Sequence, residues 1–240
     1  MRYGIQLIGV LFAAVSVTPD VRSIVKQFES RYRSARTLKA AFLERYFENG
    51  RLVRVEAGTA YFLRPGRMRW EYESPEKNLF LVDGKTAWFY VPADHTVTRV
   101  PAKESADWRT PLSLLAGETK VSRVCAEIQS APNETPESSD NSVFRCFIRQ
   151  ARPIRRAQNS SHIAQTGGET ADTILFEIVR NSGDLVRVVA RDPGGVAVEF
   201  HFGDWVTNPH LADSFFQFTV PPSVAIVNGE SLSTDKGTNH

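Results

Sequence analysis

Two dipeptides, Asn49-Gly50 and Asp83-Gly84, each stand between runs whose apolar residues recur at every second position. Such pairs accept the left-handed backbone of a tight hairpin, and the alternation gives each arm one apolar and one polar face. TLKAAFLERYF and RLVRVEAGTAYFL flank the first pair; NLFLV and KTAWFYV flank the second. Arms joined this closely run antiparallel, so the first half of the chain is expected to be a meander, continued by HTVTRVP. The texture returns in DTILFEIVR, LVRVVAR and VAVEFHF, with turns at 181–184 and 192–195, and FFQFTVPP reads as a last strand. About ten or eleven antiparallel strands without internal repeats are expected to curl into a barrel, or a half-barrel capped by helices. One domain over residues 19–228 is expected.

Helical spacing appears twice. Asp20 caps a run in which Val21, Ile24, Val25, Phe28 and Tyr32 share a stripe, ending near Ser34. Thr110-Pro111 opens a short apolar helix carrying Leu112, Leu114 and Leu115, and Gly117 stops it. The fold class is therefore α+β and mainly β.

The chain starts with Arg2 and an apolar run from Ile5 to Val15, too short to span a bilayer, followed by small residues. That pattern predicts a signal peptide over 1–18, the alternative being a buried N-terminal element. An exported chain makes Cys125 and Cys146, both in strand-like stretches, read as a disulfide worth about 3 kcal/mol, the alternative being two buried thiols. Neither cysteine follows the leader directly, so the chain does not look like a lipoprotein. A net charge of +2 gives no reason to expect nucleic acid. Residues 130–142 and 152–170 read as polar loops. Arg145, Arg149, Arg152, Arg155 and Arg156 form a basic cluster, either solvated or facing anionic headgroups or an acidic partner. Residues 229–240 read as a polar, frayed tail.

Motifs for chemistry are missing. No histidine has a second ligand at metal spacing, and there is no nucleophile elbow, phosphate loop or dinucleotide fingerprint. Glu71/Glu73 and Glu199/His201 read as charged faces. The expectation is no enzyme, no cofactor and no metal.

The stretch YFLRPGRMRWEYESP poses a different question. Arg67, Arg69, Glu71 and Glu73 take one parity, expected to be a wet face; Met68, Trp70 and Tyr72 take the other. Together with Leu81, Trp88 and Tyr90 the apolar set is expected to line a concave sheet, covered by the two helices. Periodicity by itself favours a filled core, with an open cavity as the alternative. Arg64 stands at a break, beside Pro65-Gly66.

LRPGRMRWEY, SPEKNLFLVDGKTAWFYVP, RTPLSLLAG and FQFTVPPSVAI, in this order and spacing, resemble the periplasmic outer-membrane lipoprotein carrier family, LolA, over roughly residues 20–227. The resemblance implies an unclosed antiparallel β-barrel with a helical lid over a hydrophobic cavity for acyl chains. It implies three partners: acylated lipoproteins, an inner-membrane ABC transporter that releases them, and an outer-membrane receptor. A periplasmic monomer is expected. Arg64 matches the arginine that hydrogen-bonds lid backbone in the empty state. Met68 and Trp70 match the cavity mouth, Met68 also transporter docking. Leu112 and Leu115 fall on the lid, and Tyr32 on the N-terminal helix. The paired cysteines and both long loops depart from the family pattern. Competing readings are a lipid- or lipoprotein-sensing regulator of envelope stress, which usually carries a further C-terminal domain, and a carrier of another lipid or glycolipid.

Overall fold

A computed structural model describes residues 20–103, 114–117, 120–148, 173–191 and 194–228. The expected signal peptide, the 152–170 loop, the tail from 229 and Leu112 lie outside these residues. Helix α1 (Val21–Arg33) leads into β1 (Thr37–Glu48), β2 (Arg51–Leu63), β3 (Arg67–Ser74), β4 (Asn78–Val82), β5 (Thr86–Val91) and β6 (Thr96–Pro101). A four-residue helix, α2 (Val121–Val124), precedes β7 (Cys125–Ser130) and β8 (Asn141–Ile148). Then come β9 (Thr173–Val179), β10 (Leu185–Arg191), β11 (Val196–Thr207) and β12 (Ala225–Asn228).

The strands form one 12-stranded sheet in the order β12-β6-β5-β4-β3-β2-β1-β11-β10-β9-β8-β7, and its two end strands do not pair with each other. The barrel is therefore unclosed. Every pairing is antiparallel except β12 with β6. The β1–β2 turn has Asn49 at φ 49° and Gly50 at φ 76°, the left-handed pair that the sequence anticipates.

The concave face carries the main core: Leu38, Phe42, Phe62, Trp70, Phe144, Phe176 and Phe200 among others, beneath Ile24, Phe28 and Tyr32 of α1. Trp70 sits at its centre, 4.7 Å from the Phe42 ring, 5.5 Å from Phe200 and 5.9 Å from Phe62. Each such contact adds about 0.5–1.5 kcal/mol beyond the area buried.

Four expectations need correction. Residues directly opposite across strands share a face, and the register runs Met68–Val82–Ala87 and Trp70–Phe80–Phe89. Leu81 and Trp88 pair with each other and share the outer face with Arg69. They do not line the concave side. Both faces of β5 carry aromatics, so composition did not choose between them. The small Ala87 fits the crowded interior, whereas Trp88 reaches Asp83 with its indole N–H at 3.2 Å and packs 5.4 Å from Phe218.

Second, FFQFTVPP is not a strand. Asp213–Phe216 is a 3-10 turn, and sheet pairing resumes only at Ala225, beyond Pro221 and Pro222, which have no N–H to offer a ladder. Third, this segment crosses the outer face of β3, which is therefore not simply wet. Arg69 lies 4.5 Å over the Phe215 ring and donates to the Phe215 carbonyl at 3.2 Å, and Arg67 stands 3.6 Å from Asp213. Fourth, in VSRVCAEI only the second half is strand. Val121 and Val124 lie on one buried side of α2, and Glu29 accepts the Val121 N–H at 3.0 Å.

Candidate functional site

The last turn of α1 forms one wall of the site, and the sheet holds it firmly. The Tyr32 hydroxyl accepts the Leu185 N–H at 2.8 Å, and its ring packs 5.2 Å from Trp205. Burial pushes the Tyr32 phenol well above its usual range. Arg31 pairs with Asp184 at 2.6 Å and donates to the Thr207 hydroxyl at 3.0 Å, while Gln27 donates to the Asn181 carbonyl.

Arg64 enters from the β2–β3 connection. Its backbone N–H donates to the Arg36 carbonyl at 2.9 Å. Its guanidinium donates through Nη1 to the Tyr32 carbonyl in the last turn of α1. The last carbonyls of a helix lack intrahelical donors, and a cation there also meets the negative end of the dipole. Among the described residues no carboxylate stands within ion-pair distance of Arg64. The side chain is half-buried, and burial lowers its pKa.

Facing Arg64 is the short segment 114–117. Leu114, Leu115 and Ala116 are buried in the core. The Gly66 N–H donates to the Ala116 carbonyl at 2.9 Å. Gly117 has φ +74°, and a Cβ placed on it would lie 2.1 Å from Arg64 Nε. Only glycine lets the chain pass so close to the guanidinium.

Between α1, Arg64, segment 114–117 and α2 lies a cleft of about 200 Å³. Phe28, Tyr32, Leu114 and Val121 give it apolar walls; Glu29, Arg33, Arg64, Gly117, Lys120 and Arg123 also line it. A dry cavity of about 150 Å³ can hold benzene, so this one has room for the end of an acyl chain and not its length.

Of the site residues expected from sequence, Tyr32 and Arg64 line the cleft, beside Phe28, Leu114 and Gly117 of the two expected helical segments. Met68, Trp70, Tyr72 and Leu115 share the concave side but lie within packed core. Two polar features stand in that interior. The Tyr72 hydroxyl donates to the buried Glu44 carboxylate at 3.0 Å, and the buried Trp70 indole N–H has no hydrogen-bond partner among the described residues. The cleft's α2 wall was missed, because a four-residue helix has no periodicity to read. A cue lay in Gly117, read only as a helix stop.

Elsewhere, Cys125 and Cys146 form a disulfide between β7 and β8, buried in the core. Segment 131–140, expected as a loop, straps the outer face. Ala131 packs on Leu175 and Val189. Glu134 pairs with Arg145 and Arg191, and Glu137 stands 2.5 Å from His201 Nδ1. His201 Nε2 lies 2.5 Å from Glu199, which also pairs with Arg45 and Arg187. The hydrogen bond from His201, with the nearby arginines, outweighs desolvation and holds the Glu199 pKa at about 2.

Residues 33–135 match the family described as Outer membrane lipoprotein carrier protein LolA. The outer-membrane lipoprotein carrier protein of Nitrosomonas europaea is 27% identical over 229 residues, spanning 92% of this chain and 98% of that protein. That of Coxiella burnetii is 32% identical over 155 residues, spanning 62% of this chain and 69% of that protein. A crystal structure of a LolA superfamily protein from Nitrosomonas europaea superposes with a TM-score of 0.41 at 10% identity, covering 84% of this chain and 99% of that one.

Proposed function

The chain belongs to the outer-membrane lipoprotein carrier family, LolA, and from that premise we propose that it shields lipoprotein acyl chains in the periplasm. It takes them from an inner-membrane ABC transporter and delivers them to an outer-membrane receptor. The observation that carries this reading is the construction of the site. A short segment, 114–117, is tied by the Gly66 N–H and packed against the Arg64 guanidinium, itself anchored on α1, over an apolar concave face whose edge is a cleft too small for a whole acyl chain.

A clamped empty form suits a carrier that must also release. Each buried methylene stabilises the loaded form by about 0.8 kcal/mol. Opening costs the hydrogen bond from Gly66 to Ala116, about 1 kcal/mol net, the packing of Gly117 on the Arg64 guanidinium, and the apolar contacts of Leu114, Leu115 and Ala116. Loading thus exchanges protein–protein for protein–acyl contacts, and net affinity stays moderate. In this proposal Arg64 is the latch, and Met68, Trp70 and Tyr72 become acyl-chain lining once the segment lifts. Met68 is also the proposed transporter-docking residue. The unpaired indole N–H of Trp70 would then meet a polar atom of the cargo.

The test is release of acylated lipoprotein from membranes bearing the transporter, followed by co-elution with the purified carrier. A protein that releases no lipoprotein overturns the reading. Arg64→Leu is expected to accept cargo but deliver it poorly to acceptor membranes; unchanged transfer removes the latch role.

A further inference from the structure

The charge around the cleft is not accounted for by acyl burial. An acyl chain held through an ester or amide is uncharged, yet Arg33, Arg64, Lys120 and Arg123 all line this one cleft, against one carboxylate among the described residues, Glu29. The whole chain has a net charge of only +2, so this concentration is local. Glu29 is already engaged: it accepts the Val121 N–H at 3.0 Å and stands 4.0 Å from Arg33. Arg64 is spent on the Tyr32 carbonyl. That leaves Arg33, Lys120 and Arg123, all exposed at the rim.

Local structure explains one of these three. Arg33 ends α1, where a cation suits the helix dipole. Lys120 occupies the N-cap position of α2, where a cation is unfavourable. Among the described residues, Lys120 and Arg123 form no ion pair. The two stand three residues apart at the two ends of α2, beside the apolar wall made by Val121.

We propose that the cleft binds a single-chain amphiphile with an anionic head, its tail end among Phe28, Tyr32, Leu114 and Val121 and its phosphate or carboxylate among Arg33, Lys120 and Arg123. This rests on the reading of the cleft as an acyl-chain site and names the head that goes with the tail. The rim attracts the head over a Debye length, so binding weakens with salt. The tail adds the affinity that a surface cluster of lysine and arginine lacks.

The test compares three probes of equal tail length on the full chain, below their micellar concentrations: dodecyl phosphate, dodecyl maltoside and dodecyltrimethylammonium. Dodecyl phosphate is expected to bind about tenfold tighter than either of the others at low salt, the ratio for a charge-assisted contact. The triple variant Arg33→Gln/Lys120→Gln/Arg123→Gln should bind all three alike while still unfolding in one cooperative thermal transition. Equal affinities for all three probes on the parent protein overturn the proposal and leave the acyl-site reading standing. Inorganic phosphate that displaces dodecyl phosphate at equal concentration also overturns it, by showing a simple anion site. Binding of none of the three overturns both readings.

Discussion

Arg64 and Gly117 constrain each other. The guanidinium occupies the space that a Cβ at 117 would need, and the backbone at 117 is left-handed at φ +74°. Gly117→Ala is expected to destabilise by about 1–3 kcal/mol, from backbone strain plus displacement of the guanidinium. In an Arg64→Ala background the same change should cost about 1 kcal/mol less, because the obstacle is gone. Denaturant unfolding of the four proteins reads this cycle, and strict additivity contradicts it. Trp70 shows another side of residue scale. Replacing it with alanine removes a ring that contacts four others, Phe42, Phe62, Phe200 and Phe202, so Trp70→Ala should cost about 3–5 kcal/mol. A loss under about 1 kcal/mol would mean that the interior collapses or is already loose.

Among elements, β7 is an edge strand, held to the sheet by β8 and by the Cys125–Cys146 disulfide. The bond spans 21 residues of chain, so removing both cysteines should cost about 3 kcal/mol, seen as a lower thermal midpoint matching that of the reduced parent. The 131–140 strap responds to acid instead. The Glu199 pKa is lowered from 4.5 to about 2 in the folded protein, so folding favours the charged form. That contribution is complete above about pH 4.5 and fades as the pH falls towards 2. Acid titration should therefore loosen the outer face in this window, by up to about 3 kcal/mol in all. Glu199→Gln should flatten the acid limb of the stability curve, and an unchanged limb would locate the acid sensitivity elsewhere.

For the molecule as a whole, capacity is the question. The concave face is packed by its own aromatics, and the cleft between α1, Arg64, segment 114–117 and α2 is about 200 Å³. Short alkyl chains should bind with an increment of about 0.8 kcal/mol per methylene. Past about eight carbons, the room in a cavity of this size, each further methylene should add less, because segment 114–117 must lift. Calorimetry across a series of alkyl phosphates reads the slope. One constant increment through a long chain would show that the clamp does not limit access.

Much of the sheet was legible in the chain. Alternation and the Asn49-Gly50 and Asp83-Gly84 turns determined the antiparallel meander, and the spacing of Ile24, Phe28 and Tyr32 determined which side of α1 is buried. These are local properties: backbone twist, turn conformation and helix pitch depend on neighbours in sequence. The family resemblance also pointed to Arg64 at the mouth. What the chain did not reveal is what faces what. Trp88 and Phe89 are both aromatic, and only the register across β3, β4 and β5 put Phe89 inside and Trp88 under Phe218. The segment after Asp213 kept apolar residues without a ladder, and only the tertiary fold laid it over Arg69. The cleft brings together residues from α1, the β2–β3 connection, segment 114–117 and α2. No spacing encodes that meeting. It follows from the curl of the sheet and from the sterics that hold Gly117 against Arg64.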